Sequence, residues 1–508
     1  MDAHVTLLFS FPPHPPPNPP LTDAEYDKQA RNFTHSIQKI PLSKLTGSVS
    51  GGSLLDVRLP KPSHSCKVLI AAQILNPAIN SISYSHVLLA HIIDPSVKGK
   101  NAPAIHDAFA PGTPLWQKML DFMSHFDPVQ IRYAGSDVRT IIETTNHKAL
   151  LAQEPASAIN PIRTAILRID PSGATFTSSH VLLIRLCLYA RAYAAPLQVL
   201  DSDIYHFPAM TNKGAEAVAD SLAPFPCSFH ETSSTFINTA SGLTRKLDYQ
   251  DHLEYFLLGA MCYMALKDWD RGMLFLELCL TSPTTNTASR IQVEAYKKYV
   301  LVSLLLYGKL VPLPKTANVQ TVRMCQNLSK PHTGLAEVFK YGIDKEEPAT
   351  KLIAEAQEGN KFWQEECNLG LVRQVLDAYR QFSVQRLGKT FAALPIPEIS
   401  KRTSWDPNDH VETGQYIIKL ISAGQLNATI SEPSEDPSTW VLRFFSSSNE
   451  GPKARSGEQQ FDDLQRQVAK VQTLMSHVRE TDRKFGLSKE YISEQKRLKK
   501  GVGWGEKS

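Results

Sequence analysis

Among the residues whose types could do chemistry, Gly388-Lys389-Thr390 comes closest to a known device, the end of a phosphate-binding loop. That loop needs a glycine at 383, where Ser383 stands, and a strand leading into it, which the pattern lacks. His230-Glu231 opens an HExxH-like string, but position 234 is Ser234, so the second imidazole that would share a zinc ion on one helical face is missing. His86 and His91 lie five apart on an apolar helical stretch, without the HxH and SxxD spacing of isopeptidase metalloproteases, and read as core or boundary histidines. No GxSxG elbow occurs, and none of the seven cysteines, at 66, 187, 227, 262, 279, 325 and 367, forms a CxxC pair or carries a catalytic flank. Several cysteines fall inside apolar helical runs, where a thiol behaves as a small hydrophobe. Asn32-Phe33-Thr34, Asn327-Leu328-Ser329 and Asn427-Ala428-Thr429 match glycosylation acceptors that no secretory signal accompanies. The expectation is a chain that is not an enzyme, with no metal site and no cofactor.

The elements that would position any site are mostly helices. The 508 residues are 42% hydrophobic with only 25 glycines, a balance that disfavours Gly-rich β architecture and glycine-looped nucleotide folds. Net charge is +4, from 54 Lys and Arg against 50 Asp and Glu, so no global field recommends nucleic acid or an anionic membrane. No stretch approaches the roughly 20 apolar residues that span a bilayer. An odd cysteine count without metal spacing fits a reducing compartment, the cytoplasm or nucleus. Seven of the 34 prolines crowd residues 12–20, and residues 1–24 read as an extended, disordered N-terminus.

Helical periodicity then predicts helices near 67–75, 82–94, 114–124, 136–152 and 178–193. Pro208 to Tyr249 breaks the pattern and reads as a flexible insertion. Leu253 to Leu280 predicts two helices joined at Lys267-Asp268-Trp269-Asp270, and Ala288 to Tyr307 a third, ended by Gly308. Phe256, Gly259, Ala260, Tyr263, Gly272 and Pro283 fall near the offsets of a tetratricopeptide (TPR) unit, with Gly272 where Ala is preferred. Antiparallel helix pairs stacked into a right-handed solenoid follow.

After a long helix over Glu366 to Ala393, Pro397 to Thr403 and a stretch capped by Asp409 predict two short helices. Leu426, Ala428 and Ile430 then alternate along one strand, and Trp440, Leu442 and Phe444 along another, which makes a winged helix. Between Trp405 and Phe445 stand six acids, Asp406, Asp409, Glu412, Glu432, Glu435 and Asp436, against two bases, Lys419 and Arg443. A DNA reader presents Lys and Arg from its second helix and wing, so this balance argues against nucleic acid. A sheet edge remains that could pair with a strand of another chain. Farther on, Phe461, Leu464, Val468, Val471, Met475 and Val478 recur at steps of three and four, an a/d stripe for packing on other helices.

This layout resembles the PCI-domain family, shared by the proteasome lid, the COP-9 signalosome and translation initiation factor three. The resemblance rests on Ile396-Pro397-Glu398-Ile399-Ser400 and on the run from Tyr416 through Ala423-Gly424-Gln425-Leu426 to Ile430. Within it, Gly259-Ala260-Met261-Cys262-Tyr263, Leu266-Lys267-Asp268-Trp269, the run Glu294 to Lys309, Leu369 to Gln374 and Gln385 to Phe391 are similar to the subunit 3 family of the signalosome. The similarity spans roughly 178–208 and 250–500, and the PCI pattern alone would fit any of the three complexes. It implies a mostly α fold, a TPR-like helical-repeat solenoid followed by a winged-helix (PCI) domain and a C-terminal helix.

The implied division is a Pro-rich N-terminus at 1–24, N-terminal helical repeats at 25–208, an insertion at 209–249 and TPR-like repeats at 250–365. A PCI winged-helix module at 366–446, a linker at 447–460, an assembly helix at 461–498 and a tail at 499–508 complete it. The implied function is a scaffold subunit, obligately hetero-oligomeric, in a complex that removes Nedd8 from cullin ubiquitin ligases with its zinc chemistry in another subunit. Its partners would be other PCI subunits and the metalloprotease subunit, and indirectly cullin-RING ligases. Leu426, Ala428, Ile430, Trp440, Leu442 and Phe444 would join a sheet between subunits. Phe461, Leu464, Val468, Val471, Met475 and Val478 would enter a bundle of terminal helices.

Overall fold

The computed structural model describes residues 3–16, 21–41, 45, 75–93, 109–208, 225–227, 232–283, 287–345, 350–403, 408–431, 439–445, 456–486 and 489–502. Contacts divide the chain into two compact units, residues 1–337 and 338–508. Among the described residues no helix is long and apolar enough to cross a membrane.

The start of the first unit departs from the expected disordered tail. Helix α1 (Ala3–Leu8) leads into the prolines, and Leu8 and Phe11 are buried. Phe11 stacks on Phe33 at 4.8 Å and tilts against Tyr26 at 5.4 Å, both on α2 (Asp23–Gln38). The Ser83 hydroxyl donates to the Leu8 carbonyl at 2.8 Å. The apolar residues beside the prolines, rather than the prolines themselves, decide the outcome, because aromatic burial outweighs the ordering cost of a short arm. Thr22 and Glu25 form a capping box that starts α2.

Helices α3 (Ser81–Ile93), α4 (Pro114–His125), α5 (Gly135–Leu151), α6 (Ala156–Ile169) and α7 (Ser178–Tyr189) follow. Each packs on its neighbours, α3 on α4 and α5, and α6 on α5 and α7, around one continuous apolar core. Most of the helix expected at 67–75 lies outside the described residues. The region expected to be a flexible insertion is partly packed: Cys227, Phe236, Ile237 and Leu243 are buried in that same core. Polar composition misled here because the four anchors are scattered among Ser, Thr and Asn with no period.

The helix pair predicted from Leu253 onward is α10 (Tyr249–Ala265) and α11 (Trp269–Thr281), after the four-residue helices α8 (Leu197–Leu200) and α9 (Ser233–Phe236). Lys267 turns the chain at φ 62°, and the Asp268 carboxylate caps α11 by accepting from the Arg271 amide at 3.2 Å. A methyl on Gly259 would lie 2.8 Å from the Phe275 ring, so this crossing needs glycine. Helix α12 (Arg290–Tyr307) ends at Gly308, φ 65°, whose amide donates to the Leu304 carbonyl. Glu294 pairs with Lys298 one turn on, as the spacing predicts. Helix α10 packs on α7 and α11, α11 on α12, and α12 on α13 (Val319–Leu328), the neighbour-on-neighbour order of a helical repeat array. Helix α14 (Lys330–Lys345) carries the division between the units.

Candidate functional site

In the second unit, α15 (Thr350–Glu358) and α16 (Asn360–Glu365) lead into the long helix α17 (Leu369–Thr390). Gly388 lies inside α17, and a Cβ there would meet the Phe444 ring at 2.7 Å. The Gly-Lys-Thr string is therefore a close helix-to-sheet contact. Strand β1 (Ala393–Pro395), α18 (Ile396–Thr403), α19 (His410–Ser422), β2 (Ala428–Ser431) and β3 (Val441–Phe444) follow. The Asp409 carboxylate caps α19 by accepting from the Glu412 amide at 2.8 Å. The three strands are antiparallel in the order β1-β3-β2, so this is a winged helix with a strand the sequence pattern did not predict. Three residues including a proline are too few to display a period of two.

Arg380 of α17 locks the second helix in place. It is 4% exposed, donates twice to the Glu412 carboxylate at 2.6 Å, and lies 4.1 Å from the centre of the Tyr416 ring. Burial pushes the Tyr416 hydroxyl up to about 12, with Arg380 pulling the other way. Helix α19 turns Val411 and Ile418 outward beside Lys419, a surface poor in the cations that DNA phosphates require. The acidic wing at 432–438 lies outside the described residues.

The six sheet residues fall largely in the chain's own core. Leu426, Ala428 and Leu442 are buried, and Ile430, Trp440 and Phe444 pack partly buried on the same cluster with Ile417 and Leu420. The alternating residues share one apolar face, and α17, α18 and α19 of the same chain pack over it. Leu426 precedes β2 and is not part of it. What β2 leaves over is its backbone edge. The Phe445 amide donates to the Asn427 carbonyl at 3.0 Å, so Asn427, Thr429 and Ser431 direct their peptide groups at β3. By the same alternation the N–H and C=O groups of Ala428 and Ile430 point away from β3, but Ala428 is 0% exposed, so only Ile430, partly buried, can leave such groups open.

The residues of the terminal stripe lie on one helix and are exposed. Helix α20 (Gly457–Gly486) runs 30 residues and is followed by α21 (Lys489–Val502). Phe461, Leu464, Val468, Val471, Met475 and Val478 are between 47% and 60% exposed. Leu474 and Phe485, which the sequence reading passed over, are 56% and 59% exposed, and Leu474 broadens the apolar face. Large side chains at this spacing thus leave an apolar face uncovered among the described residues.

Elsewhere the chemistry is structural. His86 Nδ1 lies 3.3 Å from an Asp137 oxygen, which ties α3 to α5. Of the described cysteines, Cys187, Cys227, Cys262, Cys279 and Cys325 are buried, and burial pushes their thiols up, Cys187 to about 12. Among the described residues no cluster of three His, Cys, Asp or Glu could hold a metal ion. An open cleft of about 390 Å³ between α5 and α7 has Leu150, Val181 and Leu186 among its lining residues, with Glu143, Arg185 and Arg245. Arg185 and Arg245 are each ion-paired, to Glu254 and Asp251, and the lining holds no nucleophile with a base beside it.

Comparison with known proteins agrees with this architecture. Residues 62–222 and 227–320 match the family model described as COP9 signalosome complex subunit 3, N-terminal helical repeats. The COP9 signalosome complex subunit 3 of Emericella nidulans is 32% identical over 444 residues, covering 87% of this chain and 83% of that protein. The chain belongs to the COP9 signalosome subunit 3 family. A second member, from Neurospora crassa, is 28% identical over 503 residues, 97% of this chain and 91% of its own length. The match runs through 209–222 and 227–249, so the segment set aside as an insertion belongs to the subunit 3 pattern, as does residue 62 onward.

Proposed function

We propose that this chain is a scaffold subunit of the signalosome, itself without catalytic residues, which supports Nedd8 removal from cullins and so regulates cullin-RING ubiquitin ligases. The observation that carries the assembly role is α20, a 30-residue helix with its apolar stripe about half exposed. That stripe enters a bundle with terminal helices of other PCI subunits. The sheet contributes through the outward peptide groups of Ile430, which bond a strand from a neighbouring subunit, while Ala428 beside it is 0% exposed and covered. Their side chains, with those of Leu426, Trp440, Leu442 and Phe444, hold that edge rigid from the inside. Family membership supports a place beside the other subunits, including the metalloprotease, in the cytoplasm and nucleus. Functionally the chain divides into helical repeats through 365, a PCI module at 366–446 and an assembly helix from 457.

Affinity purification of the tagged full chain from its own cells, followed by mass spectrometry, tests this reading. Recovery of signalosome subunits, with loss of deneddylation in cells lacking the chain, is the expected result. Recovery of proteasome-lid or initiation-factor subunits alone overturns it.

A further inference from the structure

Residues 225–227 and 232–245 hold only one short helix, and their contacts reach the head of α2, the start of α5, the turn into α7 and α10. At the start, the Cys227 thiol donates to the Asp23 carbonyl at the head of α2, at 3.1 Å, and the Pro226 carbonyl accepts from Arg132. The same guanidinium lies 3.7 Å from the centre of the Phe236 ring. The Ser233 and Thr175 hydroxyls share a hydrogen bond of 2.8 Å in the turn before α7. Gly242, at φ +77°, passes so near the start of α5 that a Cβ would lie 2.6 Å from the Ser136 nitrogen. The Ser178 amide, heading α7, donates to Thr244 at 3.1 Å, and Arg245 pairs with Asp251 of α10 at 2.5 Å.

A repeat array held only by adjacent contacts frays from its ends, because each repeat depends on its neighbour alone. We infer that residues 225–227 and 232–245 form a clasp that fastens α2, α5 and α7 into one cooperative unit, so that its release frees all three together. Four buried apolar residues, Cys227, Phe236, Ile237 and Leu243, anchor it, and the rest of its bonding is polar, through hydroxyls, backbone groups and the guanidinium groups of Arg132 and Arg245. Few apolar anchors and many polar bonds are the marks of a segment that opens before the core does.

Hydrogen-exchange mass spectrometry on the full chain tests the coupling by perturbing one end and reading the other. Gly242→Ala strains the clasp at α5 and is expected to speed exchange in α2, residues 23–38, by at least about tenfold. Arg132→Gln, the milder change, loosens the opposite end and is expected to do the same to α7, residues 178–189, while α17 is unchanged. Faster exchange confined to 232–245 and the element carrying the substitution overturns the clasp. So does an equal rise in α17, which signals unfolding of the whole chain. If Gly242→Ala does not fold, Arg132→Gln alone decides.

Discussion

Replacing Val468 and Val471 together by aspartate separates an assembly helix from one that closes its own chain. The two side chains are 49% and 55% exposed on one face of α20. Fully burying a valine is worth about 1.5–3 kcal/mol, so covering the exposed half of each contributes roughly 1 kcal/mol, or about 2 together. Each aspartate brought into an apolar bundle costs about a further 1–3 kcal/mol. The sum, about 4–8 kcal/mol, lowers affinity for the partner helices by a thousandfold or more. In the isolated chain both positions face solvent, and Asp and Val have similar helix propensities, so the melting temperature should stay within a degree or two. Pull-down of partner subunits and a circular-dichroism melt of the free chain are the paired assays. Retained partners refute the bundle, and a melt lowered by several degrees refutes the open stripe.

Three further outcomes follow from packing and charge. Glu412→Ala, which strips the carboxylate from a guanidinium only 4% exposed, should destabilise by about 3 kcal/mol in a urea melt. Arg380→Met should cost less, about 1–2 kcal/mol, since Glu412 is 46% exposed and rehydrates; the reverse ranking would sink the argument. Gly259→Ala should cost about 1–3 kcal/mol against the Phe275 ring. Gly272→Ala, with Met264 Cγ at an ordinary 3.4 Å, should instead gain about 0.5–1 kcal/mol, as thermal melts of the pair will show. His180 is buried and its imidazole is lowered to about 4 by that burial. The unfolded chain takes up this proton near pH 6.5 and the native state only near 4, so stability should fall as pH drops across that window, by up to about 3 kcal/mol. His180→Gln keeps an acceptor for the Thr177 amide, which donates to Nδ1 at 3.1 Å, and should flatten that decline in pH-dependent melts.

What the sequence discloses depends on whether a residue's neighbours are local. Gly308, Asp268 and Asp409 announce helix ends because the partners they cap lie within four residues. The Thr22-Glu25 box announces α2 equally well, yet the prolines before it drew the reading to disorder. Pro161 interrupts the pattern of α6, which forms nonetheless with Ile159, Ile162 and Ile166 buried on one side. Alternation at Ala428, Ile430 and Leu442 identifies an apolar face but not its cover, since a side chain's period is the same whether α17 or a foreign subunit lies over it. The stripe on α20 is legible for the opposite reason: no other element of this chain competes for its spacing among the described residues.

The alternation of β2 also sets how selective its edge can be. Of the two residues that turn their peptide groups away from β3, Ala428 is 0% exposed, so at most the one donor and one acceptor of Ile430 are left, too few to fix a register. So short an edge holds a neighbour weakly by itself, and only a neighbour tethered at a second point stays.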